Sequence, residues 1–156
     1  MRVAVWAMTI GSLALAACSQ GNGTTGVGGV DAARIIAAAP AQWLSTGRTY
    51  DEQRFSPLTA INQDTIGRLG LDWFADLDTN RGQEATPLFI DGVLYVSTAW
   101  SMVKAYDART GKLLWSFDPA VPRETLVKAC CDAVNRGVAA WGNKIFVGTL
   151  DGRLIA

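Results

Sequence analysis

The pattern of apolar and polar positions divides the chain near residue 30. Before that point, a single charge at Arg2 is followed by an apolar run from Val3 to Ala17. The run is too short for a good membrane span and ends in small residues, the pattern of a secretory signal over residues 1–18. Residues 19–31 are rich in Gly, Ser, Thr and Asn, show no periodicity, and read as a flexible tether. Ala32 to Ala39 is Ala- and Ile-rich and stops at Pro40, which predicts a short helix. The tether and helix together occupy residues 19–39. From residue 40 onward the signals are those of strands. Gly92 to Thr98 is β-branched and aromatic and follows the turn pair Asp91–Gly92. Val103 to Tyr106 comes next, then a polar turn from Asp107 to Gly111, then Lys112 to Phe117, ending at Asp118–Pro119.

The strand pattern repeats. Lys144–Ile–Phe–Val–Gly–Thr149 lies 51 residues after Val93–Leu–Tyr–Val–Ser–Thr98, and the same offset sets Leu154 on Val103. A period of this size, made of short strands, is that of propeller blades. The excess length falls in residues 119–137, between the two copies. Within the first copy, Asp107 and Thr110 can hydrogen-bond a tight turn and Gly111 can take a positive φ. Trp115, on the outer strand, can then pack against a neighbouring blade. A looser copy runs from Ile61 through Asp64 and Gly67 to Trp73, with a Gly-to-Trp spacing two residues longer. These girdle elements resemble the tryptophan-docking motif of quinoprotein propellers.

Composition narrows the chemistry. Of 156 residues 49% are hydrophobic and 18% charged, a globular balance. The 14 basic and 14 acidic residues cancel, so no nucleic-acid surface or polybasic membrane patch is expected. There is no histidine, which excludes a His-based triad, a His zinc site and a CxxCH haem attachment within these residues. Phosphate-cradling glycine motifs are also absent.

Three cysteines leave one over in an exported protein. Leu15–Ala–Ala–Cys18 resembles a bacterial lipobox, in which the cysteine is lipidated after cleavage; the alternative is an ordinary signal cut near the same Ala–Ala. If Cys18 carries lipid, Cys130 and Cys131 remain. In an oxidising compartment they can pair. Adjacent Cα atoms lie about 3.8 Å apart, below the roughly 4.4 Å of ordinary disulfides, so such a ring must strain or twist. The alternatives are two reduced thiols or partners elsewhere.

The run Ala129–Cys130–Cys131–Asp132–Ala–Val–Asn135–Arg136–Gly137 decides among function classes. It closely resembles the segment with which PQQ-dependent methanol and ethanol dehydrogenases hold their cofactor. Asp78–Thr–Asn–Arg–Gly–Gln–Glu84–Ala–Thr–Pro87 resembles that family too, as do Arg54 to Leu58 and Ile66 to Trp73, so the likeness covers nearly all of residues 40–156. It implies an all-β fold, the first two to three blades of an eight-bladed propeller, with residues 40–156 an incomplete part of it. It implies that Cys130 and Cys131 form a vicinal disulfide stacked on the pyrroloquinoline rings and that Arg136 bonds the quinone oxygen. It gives Glu84 a cofactor contact. A carboxylate there can accept from a ring N–H or a protonated carboxyl group and repels an ionised one. The implied reaction is oxidation of a primary alcohol, with a cytochrome c-type acceptor, in the periplasm. Calcium or a lanthanide, the catalytic aspartate and the second stacking tryptophan are expected from later blades, and haem c from a C-terminal domain. The fragment alone is therefore expected to be inactive. Two rivals share the propeller: a non-catalytic lipoprotein of outer-membrane assembly, which leaves Cys130–Cys131 with Arg136 unexplained, and a sugar quinoprotein, a group that generally lacks adjacent cysteines.

Overall fold

The structure, a computed structural model, describes residues 28–156. The signal segment, the Cys18 lipidation site and residues 19–27 of the tether lie outside the described residues. The first described residues are already packed. Val30 is wholly buried and exchanges backbone hydrogen bonds of 2.9 and 2.7 Å with Gly142. The tether expected over 19–31 thus does not reach Val30, because an apolar side chain there finds a core to enter. Helix α1 (Ala32–Ala37) follows, its first turn closed by Asp31, whose side chain accepts from the Arg34 N–H at 2.8 Å. Ile35 is its buried residue.

Two antiparallel sheets make up the body. The first has the order β1 (Leu88–Ile90), β2 (Val93–Ser97), β3 (Val103–Asp107), β4 (Leu113–Phe117). The second runs β5 (Ala139–Trp141), β6 (Lys144–Gly148), β7 (Leu154–Ile155). Each strand pairs with the next in sequence, a meander. β5, β6 and β7 begin 51 residues after β1, β2 and β3, so the repeat extends to the short first strands as well. In β2, burial alternates strictly, with Val93, Tyr95 and Ser97 inside. The core joins both sheets through Leu88, Ile90, Tyr95, Val138, Ala140 and Val147. A cleft lies along the seam, lined by Tyr95, Val103 and Trp115 on one side and Ile145, Val147 and Ile155 on the other. Trp115 therefore faces the second sheet, its ring 5.9 Å from Tyr95.

The turn after β3 has the chemistry its sequence predicts. The Asp107 carboxylate accepts from the Arg109 and Thr110 N–H groups and the Thr110 hydroxyl at 2.8–3.1 Å, and Gly111 has φ +70°. The Thr110 hydrogen bonds hold the Asp107 carboxyl below its ordinary pKa. The tryptophan seated on this turn is Trp73. Its indole N–H donates to the Ala108 carbonyl at 2.9 Å, and a Cβ at Gly111 would stand 2.6 Å from the ring. The looser copy therefore supplies a tryptophan to the first sheet and builds no sheet of its own among the described residues: residues 69–77 pair with no strand, although Trp73, Ala75 and Leu77 are covered while Asp72, Phe74 and Asp76 are exposed.

Candidate functional site

The site forms where the first strands of the two sheets begin. Just before β1 and β5 the chains run parallel: Thr86 bridges Gly137, and the Thr86 N–H donates to the Arg136 carbonyl at 3.3 Å. Gly137 makes this approach possible. Its φ is +135°, and a Cβ there would lie 3.2 Å from the Thr86 carbonyl oxygen. The repeat thus sets Thr86 beside Gly137, 51 residues later, and brings the loop that ends at Glu84 alongside the one that carries Arg136.

The structure brings the four expected residues into two adjoining groups. The Arg136 Nε lies 3.2 Å from the Glu84 carboxylate, with both side chains well exposed. The closest contact of this pair runs through Nε, and the Arg136 side chain donates no hydrogen bond to the protein among the described residues. Cys130 and Cys131 are joined as a disulfide between neighbours, Cα atoms 3.8 Å apart, and both are exposed. The paired state is the one the family likeness implies.

Residues to which the sequence assigned no individual role hold this loop. Ala133, wholly buried, accepts from the Trp100 N–H at 2.8 Å. The Asn135 side-chain amide donates to the Gly148 carbonyl at 2.9 Å and to the Ser101 hydroxyl at 3.3 Å, and its oxygen accepts from the Gly137 N–H at 3.1 Å. Arg81 pairs with Asp132, and its guanidinium lies 5.5 Å from the centre of the Trp100 ring. A second guanidinium, Arg123, lies 3.9 Å from the same ring. Trp100 and Ser101 both have positive φ, 63° and 60°, unusual for non-glycine residues. Nothing in a linear reading links Trp100 to residue 133. Asp132, Ala133 and Asn135 carried a signal as members of the cysteine run, and Arg81 as a member of the run from Asp78 to Pro87.

The site is exposed and polar. A guanidinium stands beside a carboxylate acceptor, and the residue after the exposed disulfide, Asp132, pairs with a second guanidinium, Arg81. Residues 43–156 match the PQQ family of glucose/ethanol/alcohol dehydrogenase β-propeller domains. The chain belongs to this family. The dehydrogenase subunit of the quinone alcohol dehydrogenase of Komagataeibacter europaeus is 55% identical over 152 residues, 96% of this chain and 20% of that protein. Quinohemoprotein alcohol dehydrogenase ADHIIG of Pseudomonas putida HK5 has a TM-score of 0.80 at 56% identity, over 83% of this chain and 19% of that one. The enzyme of Comamonas testosteroni gives a TM-score of 0.81 at 49% identity, over 84% and 20%. The chain spans about a fifth of the length of the relatives it matches, and its two sheets are blades of the family's β-propeller.

The donor set fits PQQ. The cofactor is a planar tricarboxylate bearing an ortho-quinone. The free guanidinium nitrogens of Arg136 match its oxygens, the Glu84 carboxylate matches a ring N–H, and the exposed disulfide offers a flat face. The seam cleft contains none of these residues and is packing space between the sheets.

Proposed function

We propose that this chain forms the first blades, and one wall of the PQQ site, of a periplasmic dehydrogenase that oxidises primary alcohols to aldehydes and passes electrons to a cytochrome c-type acceptor. The observation that carries the reading is the pair of ion pairs, Glu84–Arg136 and Arg81–Asp132, that join the loop before β1 to the loop bearing the Cys130–Cys131 disulfide. When bound, PQQ supplies the hydride acceptor. Arg136 holds a quinone oxygen through its terminal nitrogens and favours negative charge there. Glu84 keeps that guanidinium in place and accepts from the cofactor. Cys130 and Cys131 cover one face of the rings and keep water from it.

No group of three or more His, Cys, Asp or Glu side chains could hold a metal among the described residues. In this reading calcium, or a lanthanide, takes its ligands from later blades of the full-length chain. The catalytic base and a haem c domain likewise belong to later parts of the full-length chain. Export by the signal segment, with Cys18 as the lipid anchor, places the enzyme in the periplasm. The rival reading, a non-catalytic propeller lipoprotein, gives no role to an exposed arginine–glutamate pair beside a vicinal disulfide.

Titrating PQQ into the full-length chain, followed by cofactor absorbance, tests the proposal. Saturable binding that weakens in Arg136→Ala and in the Cys130→Ala/Cys131→Ala double variant is expected; no binding by the parent protein overturns the reading. The 156-residue chain with PQQ and calcium is expected to show no alcohol-dependent dye reduction, and activity there would overturn its assignment as one wall only.

A further inference from the structure

Resting on the PQQ reading, we propose that Arg81 is a positioning residue for the cofactor face. Seated on Trp100 and paired with Asp132, it sets the angle at which the Cys130–Cys131 surface is presented.

The need for such a device is visible in the loop. Neither Cys130 nor Cys131 makes a backbone hydrogen bond to the rest of the protein among the described residues; the nearest are at Ala129, which donates to Leu126, and at Ala133, which accepts from Trp100. The disulfide is thus slung between two anchor points. Asp132 is the residue immediately after it, in the left-handed region with φ 71°. Whatever fixes the Asp132 side chain fixes the edge of the disulfide.

Arg81 does so from the other side of the site. It lies on the loop that leads to Glu84, and it joins that loop to the cysteine loop at a second place, beyond the Glu84–Arg136 pair. An exposed ion pair alone holds little, since each charge stays solvated and each long side chain stays free. This one has a platform. The Arg81 guanidinium is 5.5 Å from the centre of the Trp100 ring, a stacking range open to a planar cation. The ring is itself anchored, because the Trp100 N–H is bonded to buried Ala133 and its backbone is held at φ 63°, ψ 20°. A bulky residue keeps such a conformation only where its surroundings over-determine it. Arg123, 3.9 Å from the same ring, adds a second cation to the platform. Trp100, Arg81 and Asp132 thus form one chain of contacts, from a rigid turn to the residue beside Cys131.

Two readouts on the full-length chain test this, one of which does not use the cofactor. The first is PQQ affinity. Arg81→Ala is expected to raise the dissociation constant about tenfold, the size of a coupled pair, and Arg81→Lys, which keeps the charge without the planar fork, to fall between. Asp132→Asn should match Arg81→Ala, and the double variant should be no weaker than either single. The second readout is the rate at which dithiothreitol reduces Cys130–Cys131 in the cofactor-free protein, followed by thiol titration. It should rise in both single variants. Should Arg81→Ala fail to fold, the near-isosteric Asp132→Asn carries both measurements. Wild-type affinity with wild-type reduction rate in the variants overturns the proposal, as do additive effects of the two substitutions. A parent protein that binds no PQQ removes the functional reading instead, and the reduction rates then decide the positioning role alone.

Discussion

The exposure of Arg136 and Glu84 separates their two conceivable roles. An ion pair this open to water contributes about 0.2–1 kcal/mol to folding, so stability gives no reason to place these charges beside a disulfide. Bonds from a guanidinium to a quinone oxygen, made in a closed and drier site, are worth about 1.5–3 kcal/mol each as charged hydrogen bonds. Arg136→Ala is therefore expected to leave the melting temperature of the cofactor-free chain nearly unchanged and to weaken PQQ binding by about ten- to a hundredfold. A thermal melt beside a PQQ titration checks both halves. A large loss of stability with little loss of affinity would make the pair structural. The candidate cofactor residues, Glu84, Arg136 and the cysteines, were legible because each sits in a run whose residue types are rare in combination. The residues that hold them were not. Trp100 and Ser101 act through backbone conformation and through Ala133 and Asn135, partners that only the meeting of two sheets creates.

At the scale of elements, the turn after β3 ties sequence to architecture most directly. Its polar spacing predicted the Asp107 cap and the positive φ of Gly111, and both are present. The spacing could not say which tryptophan the turn receives. That is Trp73, from a segment 34 residues before Asp107 that has no strand partner among the described residues. β1 and β5 escaped notice for a different reason: three residues each are too few to show a period. Because a Cβ at residue 111 would meet the Trp73 ring at 2.6 Å in a left-handed backbone, Gly111→Ala is expected to destabilise by on the order of 1–3 kcal/mol. Denaturant unfolding measures this, and Trp73 fluorescence reports whether the ring has left the turn. Asp107 adds a pH signature. Its folded pKa is lowered by the Thr110 bonds, so its contribution is complete above the unfolded value of about 3.9 and is lost as pH falls through the folded value. Asp107→Asn should lower stability at neutral pH and flatten the loss between pH 4 and the folded pKa, taking about 4 as the unfolded limit. Parallel acid limbs for the two proteins would show that the carboxylate contributes nothing.

At the scale of the whole molecule, the surface is that of a part designed to be covered. Phe55, Leu58, Ile61, Ile66, Leu69, Leu71 and Phe74 all lie within twenty residues, and each is more than half exposed. Such a density of large apolar side chains exceeds the scattered ones that any soluble domain tolerates. Phe74 is telling, since it alternates with covered Trp73 and Ala75 along a stretch in strand-like rhythm whose Trp73 packs on the first sheet and whose other face has no partner among the described residues. The relatives are about five times longer than the span they share with this chain, given coverage of 20%. Their remaining length is material enough to cover that face. An apolar-surface dye such as ANS should therefore bind the 156-residue chain strongly and the full-length protein weakly, and Phe74→Ser with Leu71→Ser should lower the dye signal of the short chain while destabilising the long one. Equal dye binding per molecule by both lengths would mean that this face stays open in the assembled protein and that its apolar residues answer to some contact other than the rest of the propeller.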